Sequence, residues 1–325
     1  MTAAAQRRTE RIGLLAGAGA AIGFGISYPL TAIVLRSFSP LGTAAIQGSL
    51  GLAIILAFAA LGIVPRPARA RWRPGAVVRL AFLGLCGGVV FTSLLNLSVA
   101  VAGPTITGFV ATLYAVFSAL LAVPLLGEPL RRTTFASFLL ALAGTALLAG
   151  FRPADVPLGG IGLALGSAVC FGLYLVLSRR WGASHGLDGT AIAVANLTGR
   201  GPVVLVLALA TGPSGVFPAD PLPESLLALA LIVIFPSMLS QLLVMASVRR
   251  LPARLSGSAL LLVPITGSVT AAIVLGIVPT PAQAVGGLLI VLGIAGASGA
   301  VGLVAERAGA LRSARRGPGA GGCSR

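Results

Sequence analysis

The chain has 325 residues, 57% hydrophobic and 9% charged, with a mean hydropathy of +1.02. A soluble domain carries about 25% charged residues, so this composition excludes a water-solvated globule and points to lipid as the solvent. The net charge is +16 and all 23 basic residues are arginine; they sit in connectors between apolar runs, not in one basic domain, which argues against a nucleic-acid partner.

Residues 1–11 form a short polar arm carrying Arg7, Arg8 and Arg11. The first apolar run, Ile12–Leu35, is too long for a signal-peptide core and lacks a small-x-small cleavage site, so it reads as a spanning helix. Further runs fall near 42–63, 77–98, 104–126, 134–150, 160–180, 190–211, 224–247, 255–276 and 282–304. Each approaches the ~20 apolar residues that cross a bilayer as a helix. None alternates with the period of two that a membrane barrel requires, so the expectation is an all-α integral membrane protein with ten transmembrane helices. Proline and glycine punctuate the connectors, as at Pro65-Arg66-Pro67 and Pro221-Leu222-Pro223. The tail from 305 to 325 has the composition of a disordered segment.

A cytoplasmic N-terminus places 20 arginines in inside segments and only Arg36 and Arg152 outside, with Arg200 left inside a run. That asymmetry is the positive-inside pattern, with both termini cytoplasmic in a cell inner (plasma) membrane. Cys86 and Cys170 lie within runs and Cys323 in the tail, a spacing that offers neither a disulfide framework nor a metal site. Trp72 and Trp181 sit in connectors near run ends, where interfacial anchoring accounts for them.

The second half repeats the first at an offset of 149 residues without gaps. Ile12-Gly13-Leu14 falls on Ile161-Gly162-Leu163, Gly108 on Gly257, Leu126-Gly127 on Leu275-Gly276, and Gly144 on Gly293. So long a period marks a duplicated half rather than a solenoid. Five spans per half is odd, so the second half enters from the opposite side and the halves, 12–150 and 160–304, form inverted repeats. In many transporters such repeats face each other across a midplane site and expose it alternately.

Leu125-Leu126-Gly127-Glu128, followed by Leu139-Leu140 and Gly144, resembles the EamA domain of the drug/metabolite transporter superfamily, and the stretch Pro264, Leu275-Gly276, Gly286, Gly293 is similar. The resemblance implies a small-molecule transporter in which helices one to four of each half surround a cavity and the fifth and tenth are peripheral. In the second copy Ile277 replaces Glu128, which moves that glutamate towards a connector role beside Arg131 and Arg132. The pairs Gly13…Gly17, Gly162…Gly166 and Gly84…Gly88 have the small-xxx-small spacing of close helix approach.

Arg200 is the outlier among candidate site residues. It lies about ten residues into the seventh run, in Gly199-Arg200-Gly201-Pro202, where flanking glycines and a proline should loosen the helix. A charge there is a candidate for pairing with a substrate carboxylate through its bidentate fork; the alternative is snorkelling or pairing with freed carbonyls. Gln47 and Asn196 form an amide pair at equivalent repeat positions; Asn96 and Gln241 follow on the third helix of each half, and Tyr28, Tyr114 and Tyr174 complete the candidate lining. Any of these can instead bond a neighbouring helix. All seven acidic residues lie at run ends or in connectors, so no mid-membrane carboxylate relay is present, and facilitated diffusion, exchange or export of a small metabolite, an amino acid or another carboxylate, is expected. Titratable groups are too scattered for an active site, and no cofactor or metal is implied. The competing reading is a non-transport membrane protein, lipid-handling or an embedded enzyme. Oligomeric state is not legible.

Overall fold

A computed structural model describes residues 3–63, 74–127, 135–136, 139–140, 143–144, 147, 157–185, 187, 189–240, 243 and 262–297. The regular structure among these is helical throughout, without strands. Helix α1 spans Ala3–Val34, α2 Pro40–Ala60, α3 Pro74–Leu83, α4 Phe91–Ala111 and α5 Tyr114–Leu126. In the second half α6 spans Leu158–His185, α7 Gly189–Thr198, α8 Val204–Thr211, α9 Pro223–Ile234, α10 Leu262–Leu275 and α11 Pro281–Ala297. Among the described residues five stretches are long and apolar enough to cross a membrane: Ile12–Val34, Pro40–Ala60, Pro74–Ala111, Leu158–Gly182 and Gly189–Thr211.

Local chemistry explains the boundaries. Helix α2 starts where Ser39 Oγ accepts the Gly42 amide and Pro40 occupies the first turn, where its missing N–H costs nothing. Helix α11 starts with a reciprocal cap, Thr280 N–H to Gln283 Oε1 and Gln283 N–H to Thr280 Oγ1. Gly127 and Gly276, at the same repeat position, both adopt left-handed φ (+69° and +67°) at the ends of α5 and α10. A Cβ is strained there, which is why this Leu-Gly recurs in both halves.

The expected break between the third and fourth runs is reduced to one residue, and the fourth run is itself broken. Gly103 (φ 78°, ψ 169°) interrupts α4 just before Pro104, in a region almost closed to other residues. The expected run 104–126 is not one helix: a tight turn at Thr112–Leu113 divides α4 from α5, with Leu113 N–H reaching Val110 O and Thr112 Oγ1 reaching Phe109 O. Among the described residues, π-helical turns occupy Gly84–Val90, Gly199–Val203 and Phe235–Leu239. The first and last lie at repeat-equivalent positions. The extra residue per turn fits where glycine or proline already weakens the ladder.

Packing is closest where glycine faces backbone. A Cβ on Gly84 would fall 2.5 Å from the Ala195 carbonyl oxygen, and one on Gly88 would meet the Asn196 carbonyl. The Gly84…Gly88 pair therefore does hold two helices together. Gly162 does not: it is exposed, with nothing within 4 Å of its Cβ position, and the close approach on α6 is made by Gly160 against Ala102. Helices α2 and α7–α8 pack antiparallel, Ser39 meeting Gly215, Gly48 meeting Gly201 and Gly51 meeting Leu197. Gly144 and α11 meet through Gly286 and Ile290, and Ile290 is buried with Phe109 and Val116.

At one end of the bundle the halves are fastened together. Arg36 and Glu224 form an exposed ion pair at 2.7 Å, Ser225 Oγ donates to the Ile33 carbonyl, and Leu222 N–H donates to Ser37 Oγ. Ser98 performs a similar task inside, donating to the Gly160 carbonyl at 2.8 Å while Thr107 Oγ1 lies 2.8 Å from it.

Candidate functional site

A cavity of about 320 Å³ lies between the halves. Its wall draws on α1, α2, the α3–α4 segment and α5 from the first half. From the second half come α6, α7, the two π-turns at 199–203 and 235–239, α9 and Val263 of α10. None of the described residues of 135–147 or of α11 lines it. The volume is within the usual ~300–1,000 Å³ of small-molecule sites.

Arg200 is presented to this cavity by a tightly held turn. Gly199, Arg200, Gly201 and Pro202 form the π-helical segment. Gly48 presses on one side, its Cβ position 2.6 Å from Gly201 Cα; Gly88 presses on the other, its Cβ position 2.8 Å from Arg200 N. A side chain at either glycine would push the turn away, so the backbone of Arg200 has little freedom. Its guanidinium donates from Nη2 to Ser237 Oγ at 3.2 Å, while its buried Nε has no hydrogen-bond partner among the described residues. The ion pair found among the described residues, Arg36–Glu224, is elsewhere. A buried donor without an acceptor costs roughly 1–3 kcal/mol, so this guanidinium is held ready for an acceptor that the described residues do not supply there.

Asn196, one turn before Arg200, lines the same wall, and a Cβ on Gly87 would lie 2.7 Å from its Nδ2 and 2.5 Å from the Tyr174 ring. Gln47 and Asn96 line it too and are 6% and 2% exposed. Asn96 is already engaged, its Nδ2 donating to the Pro40 carbonyl at 3.1 Å, so it also ties α4 to the start of α2. Tyr28, Tyr114 and Tyr174 all face the cavity. The structure thus brings seven of the expected residues together around one space. Gln241 lies outside the described residues, as do Glu128, Trp72 and the tail 305–325.

Ser237, Phe91 and Phe171 also line the cavity without standing out in the sequence, while Thr92 is one of the uncharged polar residues that the apolar runs carry at mid-depth. Ser237 holds Arg200 and is the repeat counterpart of Gly88, a relation that the 149-residue register contained. Thr92, the counterpart of Gln241, is 2% exposed, and its Oγ1 has no partner among the described residues. Phe91 and Phe171 stack at 4.4 Å, Phe171 stacks on Tyr174 at 5.5 Å, and Tyr114 meets Phe171 edge-on at 5.0 Å. In sequence these phenylalanines are indistinguishable from lipid-facing ones. Among the described residues no group of three or more His, Cys, Asp or Glu gathers to hold a metal.

Comparison with known proteins follows the same lines. The EamA-like transporter family matches residues 11–150 and again 158–299. A solved structure titled "Crystal structure of protein" superposes with a TM-score of 0.62 at 23% identity, over 90% of this chain and 97% of that one, a likeness of fold. No curated protein matches the chain.

Proposed function

Because the chain belongs to the EamA-like transporter family, a family of multi-pass membrane transporters, we propose that it is an alternating-access carrier of a small carboxylate-bearing metabolite. Arg200 holds the carboxylate. Asn196, Gln47 and Asn96 contribute polar contacts, and Tyr28, Tyr114 and Tyr174 shape the pocket. The carrying observation is the Arg200 guanidinium in the cavity wall, which among the described residues has Ser237 Oγ as partner and a buried Nε with none. Without an acidic partner, a half-buried guanidinium carries a desolvation cost; a bidentate carboxylate offsets that and satisfies the free donors.

The carrier is built as ten spans in two inverted five-helix units, 12–150 and 160–304, between a short arm and a tail that are both cytoplasmic. Support comes from the antiparallel packing of α2 against its repeat counterpart α7–α8, and from the arginine distribution. On that topology Arg36–Glu224 fastens the outer end. Its repeat counterparts are His185 and Gly75, which cannot form the same pair. The inner membrane of the cell is the site of action.

Counterflow in proteoliposomes with a panel of carboxylates, amino acids and nucleosides tests this reading. Exchange of at least one carboxylate is expected, falling to background in Arg200→Ala and recovering only in part in Arg200→Lys, which keeps the charge and loses the fork. Undiminished exchange by Arg200→Ala sinks the assignment of Arg200. No exchange of any solute sinks the carrier.

A further inference from the structure

Resting on the reading of Arg200 as the carboxylate site, we infer that the cavity selects an aryl monocarboxylate that lacks an ammonium group, and discriminates against the corresponding amino acid.

The first argument is charge. Arg200 is the one cationic side chain among the described lining residues, and no acidic side chain is among them. Asp220 and Glu224 lie in the connector before α9 and at its first turn, and residues 241–261 contain no acidic residue in their sequence. A monoanion therefore neutralises the loaded site. A zwitterion leaves it at +1 and an amine raises it to +2. The ammonium of an α-amino acid is two bonds from its carboxyl carbon, so it cannot avoid the guanidinium that the carboxylate binds. Inside a cavity of low dielectric that repulsion is weakly screened.

The second argument is hydrogen-bonding polarity. Arg200 Nε and the Thr92 hydroxyl are both buried in the wall without partners among the described residues. An anion supplies acceptors to both, whereas an ammonium supplies only further donors. The third argument is shape. The rings of Phe91, Phe171 and Tyr174 form a ladder with interplanar angles of 25° and 23°, and Tyr114 closes it edge-on at 89°. Its last rung, Tyr174, lies beside Asn196, one turn from Arg200. Offset-stacked and edge-on faces suit a flat aromatic body whose carboxylate reaches the arginine.

The test is thermal stabilisation of the purified protein by five probes: 3-phenylpropionate, L-phenylalanine, 3-phenylpropionamide, 2-phenylethylamine and propionate. Tightest binding by 3-phenylpropionate is expected, at least about tenfold over L-phenylalanine, with no shift from the amide or amine and weak binding of propionate. Thr92→Val, which keeps shape and removes the unpartnered hydroxyl, should weaken 3-phenylpropionate by about three- to tenfold with little change in the melting temperature of the unliganded protein. L-Phenylalanine binding as tightly as 3-phenylpropionate overturns the inference and leaves the carboxylate reading intact. Propionate binding as tightly overturns the aromatic part. Binding of the amide or amine at the strength of the acid overturns the carboxylate reading itself. Absence of binding by every probe overturns the inference, and counterflow with other carboxylates then decides the carboxylate reading separately.

Discussion

Gly88→Ala isolates the contact that holds the Arg200 turn. The added methyl would land on the Asn196 carbonyl, 2.8 Å from Arg200 N and 3.2 Å from the Gly199 carbonyl carbon, where ordinary contact is 3.4–4 Å. All three obstructing atoms are backbone, so no rotamer change relieves them and the helices must part by about 1 Å. Overpacking of this kind costs about 1–3 kcal/mol, offset by up to about 1 kcal/mol of gained helix propensity. The net expectation is about 1 kcal/mol, or a fall of roughly 1–2 °C in the melting temperature of a chain this long, together with weaker exchange because Arg200 moves. Gly162→Ala is the matched control. It has the same spacing motif, but nothing stands within 4 Å of its Cβ, so stability should be unchanged or slightly raised. Thermal unfolding in detergent and counterflow on both variants decide the matter. A Gly88→Ala protein that melts and exchanges like wild type, or a Gly162→Ala protein that is the more damaged of the two, refutes the packing argument.

Glu224→Gln removes the charge from an ion pair whose side chains are 50% and 54% exposed, so solvent screening limits its worth to about 0.2–1 kcal/mol. Labelling of Ser37→Cys by an impermeant maleimide, in a background without native cysteines, should rise by up to about fivefold, and an unchanged rate contradicts the fastening role. Ser98→Ala removes the hydrogen bond to the Gly160 carbonyl and the contact with the Thr107 hydroxyl in a fully buried position; a loss of about 1 kcal/mol should appear as a lower melting temperature. Gly276→Ala places a Cβ at φ +67°, so a loss of about 1 kcal/mol is expected despite the open space around it, and equal stability to wild type would falsify the capping role.

The apolar runs and the 149-residue register belong to the sequence alone, because lipid solvent forces long uninterrupted helices and because duplication preserves spacing. The same register paired Gly127 with Gly276, and the structure shows both in the left-handed region. A charge at mid-run marked Arg200, since desolvation makes such a residue rare without a purpose. Tertiary structure decided what composition cannot encode. Gly84…Gly88 and Gly162…Gly166 look alike on paper, and only the direction each helix faces makes the first an interface and leaves Gly162 exposed. Asn96 reads as a cavity residue, yet it also spends its amide on Pro40. Ser237 and the Phe91–Phe171 stack were hidden for the same reason. In a chain that is apolar on every face, hydropathy does not separate lipid from cavity, and only the packing of one half against the other tells which side chains meet.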